Sequence, residues 1–164
     1  KLYFAGGLQS IFTASSQIDI YNAATDSWTY SQMKTPRTGH AGVSVGNKIL
    51  WAGGATTPYM SGYNFADNVE TRDLTTGAST LECFIPKSMV RTVSIDDHIL
   101  FFGGVSNENG NLFDIYNTSN QQWKTIVLPI NLLGSAVVAV NNNIYVAGGS
   151  IDGVYINQVW KLEF

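Results

Sequence analysis

Short apolar runs that end in two glycines recur four times and dominate the hydrophobic pattern of the chain. The four runs are Lys1–Gly7, Lys48–Gly54, His98–Gly104 and Asn143–Gly149. The first glycine of the pair recurs in steps of 47, 50 and 45 residues, from position 6 to positions 53, 103 and 148. A period of this size is typical of propellers and related repeat arrays.

Alternating apolar and polar positions predict that a unit begins with a tight hairpin. The predicted first strands are Ala41–Val45, Val90–Ile95 and Gly134–Val140. The predicted two-residue turns that follow them are Gly46-Asn47, Asp96-Asp97 and Asn141-Asn142. Glycine, asparagine and aspartate tolerate positive φ, so these residues suit tight turns. In these three units the glycine-ended run is therefore the second strand of a hairpin.

A second hairpin is expected after a longer polar connection. In the first and third units a tyrosine is followed seven residues later by a tryptophan, as Tyr21 with Trp28 and Tyr116 with Trp123. Arg72 and Ser79 hold these positions in the second unit. The fourth unit reaches a third strand at Val159–Phe164. The pattern predicts fourteen strands, distributed three, four, four and three.

Antiparallel units of this kind, arranged radially, form a propeller that hides most strand edges. The glycine pairs are then structural, because they allow close backbone approach. Tyrosine and tryptophan suit the wedge between blades. The residues assigned to this structural repeat are Gly6, Gly7, Gly53, Gly54, Gly103, Gly104, Gly148, Gly149, Tyr21, Trp28, Tyr116 and Trp123.

The double glycine followed by a spaced tyrosine and tryptophan resembles the kelch repeat family. The resemblance covers nearly the whole chain and implies an all-β, kelch-type β-propeller with units at about 1–33, 34–84, 85–128 and 129–164. The segment Pro36–His40 resembles the lead-in to a kelch blade. Kelch rings usually have six or seven blades, whereas two complete blades and two three-stranded ones are predicted here. The remaining blades are expected from further chain, with self-association as the alternative.

Composition narrows the classes of partner. A net charge of −3 and 13% charged residues give no reason to expect nucleic acid. No apolar run approaches the length of about 20 residues that spans a bilayer, so membrane insertion is not expected. The single cysteine, Cys83, excludes an intrachain disulfide framework. The many uncharged polar residues favour an extracellular or periplasmic location, with the cytoplasm as the alternative.

Strand alternation places the connections after the glycine pairs, and those between units, on one rim. The longest connection carries the candidate binding residues Tyr59, Tyr63 and Phe65, since exposed aromatic side chains on a loop favour recognition. Arg37 and His40 are further candidates for anion or sugar contacts. In the structural alternative the aromatic residues cover the blade top, Arg37 braces its loop and His40 forms hydrogen bonds within the inner strand.

The family resemblance also raises the possibility of enzymes that act on sugars. A galactose oxidase-like copper site would need several convergent histidines, but His40 and His98 are predicted on opposite rims. A sialic acid mutarotase-like site would draw on His40, Arg37 and Glu108, which no pattern brings together. We therefore expect a non-catalytic module that binds protein or glycan through rim loops, without metal or cofactor. Part of a carbohydrate-active kelch propeller enzyme is the alternative.

Overall fold

Four antiparallel sheets make up most of the computed structural model. It describes residues 1–57, 64–105, 111–128, 133–151 and 153–163. Sheet 1 contains β1 (Leu2–Ala5), β4 (Gln17–Asn22) and β5 (Ser27–Gln32). Sheet 2 contains β6 (Ala41–Val45), β7 (Lys48–Ala52), β10 (Asn68–Asp73) and β11 (Ser79–Cys83). Sheet 3 contains β12 (Arg91–Ile95), β13 (His98–Phe102), β14 (Leu112–Asn117) and β15 (Gln122–Val127). Sheet 4 contains β16 (Ala136–Val140), β17 (Asn143–Ala147) and β20 (Val159–Glu163).

These sheets hold the fourteen predicted strands in the predicted distribution, within the described residues. The tight turns also form as predicted, with positive φ at Gly46, Asp96, Asn141 and Asn142. Asp96 and Asp97 therefore join β12 to β13 as turn residues. No helix long and apolar enough to cross a membrane occurs in the described ranges.

Three additional hairpins occupy connections that the sequence pattern left as loops. They are β2 (Leu8–Ser10) with β3 (Thr13–Ala14), β8 (Ala55–Thr57) with β9 (Asn64–Phe65), and β18 (Ser150–Ile151) with β19 (Val154–Tyr155). Strands of two or three residues are too short to show an alternating pattern, which is why the sequence did not predict them. The described residues of these three connections therefore include short paired strands.

The sheets pack face to face in chain order, with an apolar cluster at each junction. Ile18 and Trp51 belong to the cluster between sheets 1 and 2. Leu50 and Phe101 belong to the one between sheets 2 and 3, and Phe102 and Ile144 to the one between sheets 3 and 4. Alternation along the glycine-ended strands makes this possible, because successive side chains point to opposite faces. Each central sheet therefore buries both faces.

The glycine pairs join neighbouring sheets through their backbones. A Cβ atom added at Gly53 would lie against the carbonyl oxygen of Lys87, which precedes the next sheet. The amide of Gly54 donates to that same oxygen at 2.8 Å. The equivalent bond in the first unit runs from Gly7 N to Arg37 O at 2.9 Å. The predicted close backbone approach is confirmed at this junction, where a side chain would force the sheets apart.

Candidate interaction rim

The short hairpins and the segments that precede the inner strands form one rim, which we call the hairpin rim. Paired backbone hydrogen bonds link the two classes of connection at Thr38 with Ala55, Ser88 with Val105, and Leu133 with Ser150. Thr38 N donates to Ala55 O at 3.0 Å, and Ala55 N donates to Thr38 O at 2.8 Å. The same bridge thus ties the two classes of connection together at three places among the described residues.

Apolar side chains project from two of these hairpins into solvent. Ile11 and Phe12 form the turn between β2 and β3, and both are more than half exposed. Ser10 fixes this turn, because its hydroxyl accepts from the amide of Phe12 at 3.2 Å. In the last hairpin Val154 is also exposed and Tyr155 is 91% exposed. Backbone pairing in a hairpin reduces the conformational entropy that is lost when its side chains bind a partner.

Arg37 lies inside the molecule, with no exposed surface. Its guanidinium donates to the carbonyl oxygens of Trp51 at 3.3 Å, Gly53 at 3.0 Å and Asn68 at 3.2 Å. It also donates to the Asn68 side-chain oxygen at 2.7 Å. Burial lowers the pKa of Arg37, and the nearby charges of Glu70 and Asp67 oppose that shift. Arg37 therefore braces its connection against sheet 2, and its donors face the protein.

Lys87 takes the place of Arg37 in the next unit. Its ammonium donates to Asp114 Oδ2 at 2.6 Å and to the Leu112 carbonyl at 3.3 Å, and both ionic groups are buried. Burial lowers the pKa of Lys87, while the charge of Asp114 acts in the opposite direction. Thr125 donates to the other Asp114 oxygen at 2.6 Å. A shorter cation thus needs a carboxylate partner where Arg37 uses backbone carbonyls.

His40 sits between the glycine pairs of the first two units. Its ring lies beside Gly6 and its Cβ beside Gly54. Burial, and secondarily the charge of Arg37, lower the pKa of His40 from 6.5 to about 4. Its Nδ1 is buried without a hydrogen-bond partner among the described residues. His40 is neutral at physiological pH.

Among the described residues, the structure does not gather the sequence-predicted candidates on an open surface. Phe65 is buried in β9, as the covering alternative expects, and Arg37 is buried as well. Tyr59, Tyr63 and Glu108 lie outside the described residues. His98 starts β13 at the opposite end of its sheet and lies 2.7 Å from Asp97 Oδ1. The exposed rim residues Ile11, Phe12, Val154 and Tyr155 were missed, although each lies in a connection that the sequence assigned to the rim.

A polar cleft opens below the first hairpin. It has a volume of about 490 Å³, which is in the size class of a small-ligand site. Its polar lining comprises Gln9, Ser15, Ser16, Gln17, Asp19 and Gln32. Gln17 Nε2 donates to Asp19 Oδ1 at 2.6 Å. Amide, hydroxyl and carboxylate groups of this kind can hydrogen-bond to a polar ligand.

Comparison with known families identifies one of the units. Residues 132–163 match the family model described as the Kelch motif. The chain carries a kelch motif. The matched segment contains β16, β17, the last hairpin and β20, so one motif corresponds to one sheet with its rim hairpin. The kelch resemblance is thereby confirmed for this unit, and the all-β fold is consistent with a kelch-type β-propeller.

Proposed function

We propose that the chain is a non-catalytic protein-interaction module whose binding surface is the hairpin rim. Each of its four sheets represents one blade of a kelch-type propeller. The kelch motif favours a role in protein interaction. The observation that carries the proposal is the exposure of Ile11, Phe12, Val154 and Tyr155 on ordered hairpins. Aromatic side chains in such positions are typical energetic centres of protein interfaces.

The burial of Arg37 and Lys87 supports recognition of a partner through apolar contacts rather than through ion pairs. The side chains of Arg37 and Lys87 donate hydrogen bonds to acceptors inside the protein, so neither cation is available to contact a partner. A net charge of −3 likewise gives no electrostatic attraction for anionic surfaces. The partner is therefore expected to supply an apolar patch with a polar border.

The test is affinity capture with purified protein from both a cell lysate and a culture supernatant of the source organism. We expect the double variant Phe12→Ser with Tyr155→Ser to reduce enrichment of the captured protein at least about tenfold, since aromatic anchors commonly contribute more than about 1 kcal/mol each. The control variant Val140→Ser removes an exposed apolar side chain at the opposite end of its sheet. Equal capture by the double variant and the wild type would refute the rim assignment.

Glycan binding is a second candidate, favoured by the polar cleft below the first hairpin. A glycan array probed with wild type and Gln32→Ala tests it, because Gln32 lines the cleft. Signal that is lost in Gln32→Ala and kept in the rim double variant would place recognition in the cleft. A sugar mutarotation assay on the same samples tests the carbohydrate-active alternative, for which turnover is the required result.

A further inference from the structure

A cavity of about 200 Å³ lies between sheets 2 and 3, at the end of the sheets that carries the tight turns. We call it the inter-sheet cavity. Both of its walls are four-stranded sheets with a packed neighbour on either face. Its lining includes Val45, Lys48, Leu50 and Thr71 of sheet 2, together with Tyr116 of sheet 3. This end lies opposite the hairpin rim, so the cavity is separate from the proposed interaction surface.

Tyr116 contributes a hydrogen-bond donor to the inter-sheet cavity. Its side chain is almost fully buried, and its hydroxyl group has no hydrogen-bond partner within the described residues. The equivalent tyrosine of the first unit, Tyr21, donates to Asp26 Oδ1 at 2.8 Å. Gln121 holds the position of Asp26 in the third unit, and both turn residues have positive φ. Burial, and secondarily the charge of Glu82, raise the pKa of Tyr116, so its hydroxyl keeps the proton at neutral pH.

Lys48 contributes a positive charge to the same cavity. In the third unit its position is held by His98, whose Nε2 lies 3.0 Å from Asn117 Nδ2. The residue opposite Lys48 in the register is Asp73. Asp73 Oδ1 accepts from the backbone amides two and three residues further on, at 2.7 and 2.9 Å. The ammonium group of Lys48 has no ion pair within the described residues.

A third donor and an apolar wall complete the inter-sheet cavity. Thr71 lies opposite Leu50 in the register, and its hydroxyl has no hydrogen-bond partner within the described ranges. Leu50 and Val45 belong to the apolar cluster between the two sheets. The volume is far above the roughly 30 Å³ of one water molecule and below the roughly 300 Å³ of the smallest drug-sized sites. The cavity therefore suits a small ligand with an acceptor at one end and an apolar group at the other.

We propose that the inter-sheet cavity binds a small carboxylate with a short aliphatic chain. The carboxylate accepts hydrogen bonds from Lys48 and Tyr116, and the chain lies against Val45 and Leu50. Hydrogen bonds from an ammonium group to a carboxylate are roughly twice as strong as those between neutral groups. Glu82 does not line the cavity, and its Oε2 accepts from an indole nitrogen at 3.2 Å.

Titration of the isotope-labelled protein with sodium butyrate, followed by NMR, tests the proposal. We expect saturable shifts of the Leu50, Thr71 and Tyr116 amides with a Kd below about 10 mM. The neutral alcohol n-butanol has the same chain without the charge and should bind at least about tenfold more weakly. Acetate lacks two methylene groups and should bind at least about fivefold more weakly. Sodium chloride at the same ionic strength is the control for general salt effects.

Three variants test the assigned residues. Lys48→Gln removes the charge and should weaken butyrate binding at least about tenfold, whereas Tyr116→Phe removes only the hydroxyl and should weaken it about fivefold. Lys124→Gln, at an exposed position on the other face of sheet 3, should leave binding unchanged. The melting temperatures of both lysine variants should equal that of the wild type, so that a loss of binding reports on the site.

Three results would each overturn the proposal: no saturable shift at the cavity, equal binding of butyrate and n-butanol, or unchanged binding by Lys48→Gln. Inorganic phosphate that binds as tightly as butyrate would overturn it as well, because phosphate has no apolar group to contact Val45 and Leu50.

Discussion

At the scale of single residues, cations near the rim serve the interior of the protein. Arg37 and Lys87 hold equivalent positions and both point into their own sheets. Arg37 donates to backbone carbonyl oxygens, whereas Lys87 donates to the carboxylate of Asp114. The sequence identified Arg37 and His40 as possible ligand contacts, with a structural role as the alternative. Burial favours that alternative for Arg37, because its polar atoms face protein acceptors.

The low pKa of His40 predicts an acid-sensitive fold. The unfolded chain takes up a proton near pH 6.5, whereas the folded protein does so near pH 4. Stability is therefore complete above about pH 6.5 and falls as the pH decreases toward 4. Between pH 7.5 and 4.5 the contribution of His40 to the free energy of unfolding should fall by about 3 kcal/mol.

Urea denaturation of the wild type and His40→Gln at both pH values measures this loss. Glutamine does not titrate, and the carboxylates common to both proteins cancel in the comparison. The wild type should lose more stability than the variant over this interval. An equal loss in the two proteins would show that His40 does not carry the effect.

At the scale of elements, residues at equivalent positions of the repeat have different environments. Trp123 packs against Phe84 and Phe101 at ring-centroid distances of 5.7 and 5.6 Å, between sheets 2 and 3. Its indole nitrogen donates to Glu82 of sheet 2 at 3.2 Å. Trp28 contacts Phe4 and Tyr21 within its own sheet and is 61% exposed. The wedge position predicted for such tryptophans is observed at Trp123.

Truncating these two tryptophans should therefore have unequal effects. Trp123→Ala removes inter-sheet packing and should lower the free energy of unfolding by about 3 kcal/mol. Trp28→Ala, the matched control, should lower it by less than about 1 kcal/mol, because the side chain is mostly in solvent. Chemical denaturation followed by circular dichroism measures both. Similar losses for the two variants would contradict the difference in packing.

At the scale of the whole molecule, the junctions between sheets differ in strength. Nine buried residues form the cluster between sheets 2 and 3, compared with four between sheets 1 and 2, within the described ranges. In repeat arrays, stability is approximately a sum of unit and nearest-neighbour terms. Sheet 1 is therefore held to its neighbour by the weaker of these two junctions.

Native-state hydrogen exchange should show that sheet 1 opens more readily than sheet 3. Amides of β4 and β5 are expected to exchange at least about tenfold faster than those of β13 and β14, equivalent to about 1.4 kcal/mol in opening free energy. Mass spectrometry of peptic fragments resolves these strands. The same exchange rate in both sheets would show that the molecule opens as one cooperative unit.

The sequence by itself determined the repeat, its fourteen main strands and their tight turns. These features rest on local rules, namely alternation along a strand, the positive φ of turn residues and the space required at a glycine pair. The two- and three-residue rim strands escaped prediction because they are too short to show a period.

Tertiary structure decided which of these residues are accessible. Arg37 becomes interior because carbonyl groups from residues 51, 53 and 68 converge on it. Tyr155 is exposed on a two-stranded hairpin that is separate from the four packed sheets. Trp28 and Trp123 share a local pattern and differ only in what packs against them. The exposure of a side chain depends on contacts between segments that are distant in sequence. The repeat pattern could therefore predict which connections lie on the rim, but not which of their side chains are exposed.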